Sequence, residues 1–171
     1  VSNWRAEVSL AEYLVNHGIP AIQGIDTRAL TKKLRVVGAL KGLISTEGIS
    51  AAEAVAGARR WLGLVGVDYV KEVTHPAPFR WDKEDTQSAN FKLVFGQSAK
   101  DPRREREPLP PADIPLVAYD YGIKYNILRR LRQHGFAVQV VPAFTTAAEA
   151  LRYQPAGIFL ANGPGDPAAV G

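Results

Sequence analysis

Two glycines in one short turn, Gly163 and Gly165, stand in "LANGPGDPAA" (residues 160–169), directly after an apolar run. Glycine reaches backbone conformations closed to other residues and lets a ligand approach the main chain. Proline fixes φ and donates no hydrogen bond. Gly163-Pro164-Gly165 is therefore a stiff turn with bare N–H groups at both glycines. A rigid N–H aimed at a developing oxyanion is what acyl transfer needs. The other reading is a plain tight turn between strand and helix, because Gly and Pro punctuate most turns. The 171 residues contain no Cys, which rules out thiol chemistry within them. The three histidines offer no catalytic group of their own. His17 and His134 each precede a glycine that ends a helix, where a cation suits the helix dipole. His75 lies beside Pro76 in a strand-to-loop stretch. None has a neighbouring nucleophile to activate, so all three read as structural or surface residues.

A strand must deliver the turn. "IPLVAYD", "FAVQVVP" and "GIFLAN" are near-continuous apolar runs, and helical patterns separate them. The first helix, "KYNILRRLRQHG", spaces Ile127, Leu128 and Leu131, with Ile123 ahead of it, for one face. The second covers residues 146–154. This β-α-β-α-β order predicts a parallel sheet covered on both faces. In such sheets ligands bind beyond the C-terminal strand ends, where the strand order reverses. A flavodoxin-like order puts the first strand beside the third, so "DYGIKYN" and "NGPGDP" should meet there. Two readings of Asp120-Tyr121-Gly122 and Lys124 stay open: contacts near a pocket or a partner, or an Asp120 helix cap with Lys124 at the surface.

Upstream, Ser9 with Glu12, Ser50 with Glu53 and, in the sheet region, Thr146 with Glu149 form capping boxes that open helices. Gly18 and Gly135 are placed to end helices. "DTRALTKKLRVVG" is a further helix with Leu30, Leu34 and Val37 on one face, capped by Asp26 or Thr27, and Arg28 is a candidate partner contact. "PAIQGI", "LKGLIST", "KEVTH" and "FKLVF" read as strands. Residues 1–96 thus read as an α+β domain. Residues 97–113 carry eight charges and four prolines and read as an exposed linker. Residues 114–171 open a second, α/β domain.

Composition narrows the class. With 46% hydrophobic and 22% charged residues, the chain is ordinary for a globular protein. No apolar stretch approaches the roughly 20 residues needed to cross a bilayer. The net charge of +4 is modest. The clusters Lys32, Lys33, Arg35 and Arg129, Arg130, Arg132 read as solvated helix faces, and no nucleic-acid motif accompanies them. Absence of Cys suits a reducing, cytoplasmic setting. No Met is present and Val1 opens the chain, so a segment of a longer protein is expected.

"GIFLANGPGDP" closely resembles the loop of the class I (triad) glutamine amidotransferases, in the form found in the glutamine-hydrolysing small subunits of carbamoyl-phosphate synthases. "VAYDYGIKYNILRRL" resembles a second segment of that family. "GIDTRALTKKLR", "VSNWR" and "KEVT" resemble its N-terminal domain. The resemblance implies a glutaminase that passes ammonia to a large subunit, which makes carbamoyl phosphate from bicarbonate with ATP and Mg for arginine and pyrimidine synthesis. It implies that Gly163 and Gly165 line the glutamine site and that Gly163 helps form the oxyanion hole. The family's Cys nucleophile, and its His and Glu, lie further along the chain than these motifs. The segment alone is therefore expected to bind no cofactor or metal and to hydrolyse no glutamine. An amidotransferase of another pathway is the second reading, against which "IDTRALT" argues, and a non-catalytic binding module is the third.

Overall fold

The computed structural model describes residues 6, 8–90 and 108–170. Its contacts gather into two compact units, Val1–Gly63 and Leu64–Gly171.

The first unit holds α1 (Leu10–Asn16), α2 (Thr27–Val37) and α3 (Ala51–Arg60). Both capping boxes expected here form, with Ser9 and Ser50 accepting from the N–H of Glu12 and Glu53. The Glu carboxylates return the bond to the cap N–H at 2.8 Å. Asp26 caps α2 by accepting from Ala29 N–H at 2.9 Å. Gly18, at φ 62°, follows α1. The strands expected at "PAIQGI" and "LKGLIST" do not form: among the described residues this unit contains no strand. An extended segment becomes a strand only when another pairs with it, and neither segment finds a partner there. Lys41 Nζ instead ties one of them to the end of α3, donating to the carbonyls of Arg59 and Trp61.

The second unit is built on β2 (Ile114–Asp120), β3 (Phe136–Pro142) and β4 (Gly157–Leu160), with β1 (Phe79–Arg80) at one edge. The sheet order is β1-β3-β2-β4. β2 runs parallel to both β3 and β4, and β1 is antiparallel to β3. The first long strand therefore sits between the other two, and the order reverses at β2, as a flavodoxin-like sheet requires. α6 (Tyr125–Gln133) connects β2 to β3, and α7 (Ala147–Leu151) connects β3 to β4. Thr146 and Glu149 form the third capping box, on α7.

β2 is buried from Leu116 to Asp120, as a strand covered on both faces must be. One core packs Leu116, Ala118, Val138 and Val140 against Leu128 of α6 and Trp81. The other packs Val117, Tyr119 and Val141 against Ala150 of α7.

Residues 64–90 join this sheet: Trp81 lies in its core, and Trp81 N–H donates to Val138 O at 3.0 Å. The contacts thus divide the chain at Gly63, ahead of the compositional linker at 97–113. Residues 97–107 of that linker, "FKLVF" and "VSNWR" lie outside the described residues. "KEVTH" is not a strand. Its start is the single turn α4 (Val70–Val73), where Asp68 Oδ1 accepts from Val70 N–H at 3.1 Å and Asp68 Oδ2 pairs with Lys71 at 3.1 Å. The basic run on α6 is not wholly a solvated face either. Arg132 is buried, donates to both oxygens of Asp85 at 2.6 and 2.7 Å, and also donates to Pro110 O. Such a fork over a carboxylate fixes geometry as well as charge. It locks α6 to the stretch leading into α5 (Thr86–Asn90).

Candidate functional site

The loops that follow β2 and β4 meet at the C-terminal edge of the sheet. Tyr119 and Leu160 are partnered across the two strands, so Tyr121-Gly122 and Asn162-Gly163 leave the sheet side by side. A Cβ added at Gly163 would fall within the contact radius of the Tyr121 carbonyl oxygen, and a Cβ at Gly122 would stand 3.2 Å from Pro164 Cδ. Gly163 is therefore glycine for lack of space. Its φ is not in the left-handed region; that of Gly165 is, at 84°. The two glycines serve different needs, close approach and backbone conformation, although the sequence presents them as a pair.

These loops wall a cavity of about 460 Å³ lined by Val70, Tyr121, Asn162, Gly163, Gly165 and Pro167, among others. That size is usual for a small-molecule cleft. Among the described residues, no hydrogen bond engages the backbone N–H of Gly163 or Gly165. Two main-chain donors thus stand at the cavity wall with their bonding capacity unspent, as a site for a carbonyl or carboxylate oxygen requires.

Asp166 shapes the far side of the loop. Its Oδ1 accepts from Ala168 N–H at 3.0 Å and caps the short 3-10 turn Pro167–Ala169. Its Oδ2 accepts from Gly66 N–H at 3.1 Å. The Ala168 bond, then the Gly66 bond, lower its carboxyl below the ordinary value.

Asp120 is the most deeply placed ionisable group of the site, only 1% exposed. Oδ1 accepts from Gly122 N–H at 2.9 Å and Ile123 N–H at 2.8 Å. Oδ2 accepts from the His75 backbone N–H at 2.8 Å and from His75 Nδ1 at 2.5 Å. Burial alone would raise its carboxyl, but the bonds from Ile123, His75 and Gly122 outweigh burial and hold it below the ordinary range. Asp120 therefore does not cap α6. It folds the loop ahead of the helix, and the cap position falls to Lys124, which makes no side-chain cap bond. Lys124 is exposed.

The histidines divide as well. His17 and His134 occupy the ends of α1 and α6, where the sequence places them. His75 is a buried carboxylate's partner from 45 residues away, a pairing that local sequence does not signal. Among the described residues, no cluster of three or more His, Asp or Glu could hold a metal ion. No helix there is long and apolar enough to cross a membrane.

Similarity to known proteins agrees with this geometry. Residues 1–44 match the family model of the carbamoyl-phosphate synthase small chain, CPSase domain, and residues 117–171 match that of the class-I glutamine amidotransferases. Over 169 residues the chain is 48% identical to the carbamoyl phosphate synthase small chain of Synechocystis sp., covering 99% of this chain and 41% of that protein. It is 45% identical over 172 residues to the protein of the same name from Nitratidesulfovibrio vulgaris, covering 99% of this chain and 42% of that one. For the Xanthomonas axonopodis pv. citri small chain the identity is 44% over 172 residues, covering 97% and 43%. The chain thus spans about two fifths of the length of the curated relatives it matches. Similarity along nearly all of this chain, with the two matched segments in one order, shows that it belongs to the carbamoyl phosphate synthase small chain family.

Proposed function

We propose that this chain contributes the glutamine-binding loop of a glutaminase, the small chain of a carbamoyl phosphate synthase. Glutamine enters the cavity between the β2 and β4 loops. A cysteine, supplied by sequence beyond the motifs present here, attacks the side-chain amide carbon. The carbonyl oxygen gains negative charge and is held by the Gly163 N–H, with Gly165 lining the same pocket. Collapse of the intermediate releases ammonia and leaves a thioester, which water hydrolyses to glutamate. The ammonia goes to a large chain that uses ATP with Mg and bicarbonate to make carbamoyl phosphate. That product feeds arginine and pyrimidine synthesis in the cytoplasm.

The observation that carries this reading is the pair of unengaged main-chain donors at the wall of a cavity at the strand-order reversal, in a segment matching the class-I amidotransferases. Gly163→Ala tests it in the full-length small chain assembled with its large chain. The new Cβ meets the Tyr121 carbonyl, so the loop and its N–H must move. Losing one oxyanion donor costs about a hundred- to a thousandfold in turnover. Glutamine-dependent synthesis should fall by that order while synthesis from added ammonia stays near normal. Near-normal use of glutamine would remove Gly163 from the site. Joint loss of both activities and of the assembled complex would make the turn a folding element only.

A further inference from the structure

The segment from Gly66 to His75 runs along the C-terminal edge of the sheet and is bonded to the exit of each of its three parallel strands. Gly66 N–H donates to Asp166 in the loop after β4. Thr74 Oγ1 accepts from Ala143 N–H, just after β3, at 2.9 Å. His75 donates twice to Asp120, the last residue of β2. Packing follows the same line: the position of a Cβ on Gly165 lies 3.2 Å from Tyr69 and 3.3 Å from Val67 O, and that on Gly122 lies 3.1 Å from Val73.

We propose that this segment is a strap that sets the position of the Gly163 N–H, and that the His75 side chain is the positioning residue at its end. The inference rests on the reading of Gly163 as an oxyanion donor. The path from His75 is short. The His75 ring is seated against Phe79, with ring centroids 4.8 Å apart, and Tyr125 Oη lies 3.4 Å from Nε2. A seated ring fixes the direction from which Nδ1 meets the buried carboxylate. That carboxylate in turn fixes the N–H groups of Gly122 and Ile123, and with them the turn carrying the Tyr121 carbonyl. The carbonyl is the surface against which Gly163 rests, without room for a Cβ. Displacement of the Asp120 turn therefore passes directly into the oxyanion loop. His75 touches no substrate in this account; it acts through Asp120 and Tyr121.

The test compares His75→Ala and His75→Asn with Gly163→Ala, each in the full-length small chain assembled with its large chain. Asparagine can return an N–H near the place of Nδ1; alanine cannot. Displacing reacting groups by the order of an ångström costs up to about a hundredfold. His75→Ala should therefore lower glutamine-dependent kcat by about ten- to a hundredfold. Glutamine KM and ammonia-dependent synthesis should hold, and His75→Asn should recover most of the lost rate. Unchanged glutamine turnover in His75→Ala, with Gly163→Ala impaired, overturns the strap and leaves the oxyanion loop standing. Unchanged glutamine turnover in Gly163→Ala overturns the oxyanion loop, and the strap with it. Equal loss with both nitrogen donors, or failure of asparagine to restore the rate, reduces His75 to a folding role and also overturns the proposal.

Discussion

The two units obey the same local rules and reach different ends. Up to Gly63 the chain forms helices whose starts are specified by capping boxes and an Asp cap, yet no residue of α1, α2 or α3 is buried. Leu30, Leu34 and Val37 form the expected apolar face of α2 and remain exposed. From Leu64 onward, helices with similar signals close over a sheet, and Leu128, Val117, Val138 and Val140 lose nearly all contact with water. Capping and amphipathic spacing decide where a helix forms. Burial decides how much that helix contributes to stability, because most helical stability in proteins comes from tertiary packing. The proposed oxyanion loop sits on the unit that has the core, and a catalytic N–H would need a scaffold that holds it still.

The largest effect expected from this contrast is in paired truncations of the 171-residue chain. Leu128→Ala should destabilise the second unit by about 2–5 kcal/mol, the usual cost of emptying a closed leucine site. Leu34→Ala, at a position 39% exposed, should stay within about 0.5 kcal/mol. Chemical denaturation followed by Trp81 fluorescence, with Trp4 and Trp61 replaced by Phe, measures the first, and amide hydrogen exchange along α2 measures the second. Equal costs at the two positions would mean that α2 is packed in solution, and the comparison of the units would fail.

A smaller effect separates the units by pH. Asp120 is held below its ordinary value in the native state, so the unfolded chain binds the proton first as pH falls. Its contribution is complete above the ordinary carboxylate value, near about 4. It is lost as pH drops from there through the lower native value. Asp120→Asn should cost about 2 kcal/mol at neutral pH, the scale for hydrogen bonds to a charged group. It should also flatten the acid limb of the second unit's stability curve. Measuring unfolding midpoints from pH 6 down to about pH 2 decides it. An acid limb of unchanged slope in the variant would assign the transition to other carboxylates.

The sequence was most readable where its signals were local or periodic. β2 and β3 coincide with "IPLVAYD" and "FAVQVVP", and all three capping boxes form. The meeting of the two loops follows from chain order together with a flavodoxin-like strand order, which makes the first strand central and leaves one reversal point. Its failures lie where partners are distant. His75 and Asp120 are 45 residues apart, and Gly66 and Asp166 are 100 apart. No spacing rule joins such pairs, so "KEVTH" reads as a strand in the sequence, while the structure gives it the turn α4 and two residues bonded to strand exits. The same limit hid the reason for Gly163, whose neighbour is the carbonyl of Tyr121, and the burial of Arg132, whose partner is Asp85.

The smallest effect is also the most discriminating. Ser50 with Glu53 and Thr146 with Glu149 make the same capping box in the two units, with closely similar cap dihedrals and the same reciprocal bonds. Removing the hydroxyl costs a helix about 1 kcal/mol wherever it is made. The consequences differ with what the helix buries. α7 places Ala150 against Val117, Tyr119 and Val141, so its first turn is part of a cooperative core. Thr146→Ala should therefore lower the second unit's unfolding free energy by about the whole 1 kcal/mol. α3 buries no residue, so fraying at Ser50 has no sheet to loosen. Ser50→Ala should instead speed amide hydrogen exchange along α3, while the midpoint of the second unit stays in place. Exchange and denaturation on the same two variants give both readings. A shift of the second unit's midpoint by Ser50→Ala would show that α3 is energetically coupled to the sheet, and the division at Gly63 would not then be a division in stability.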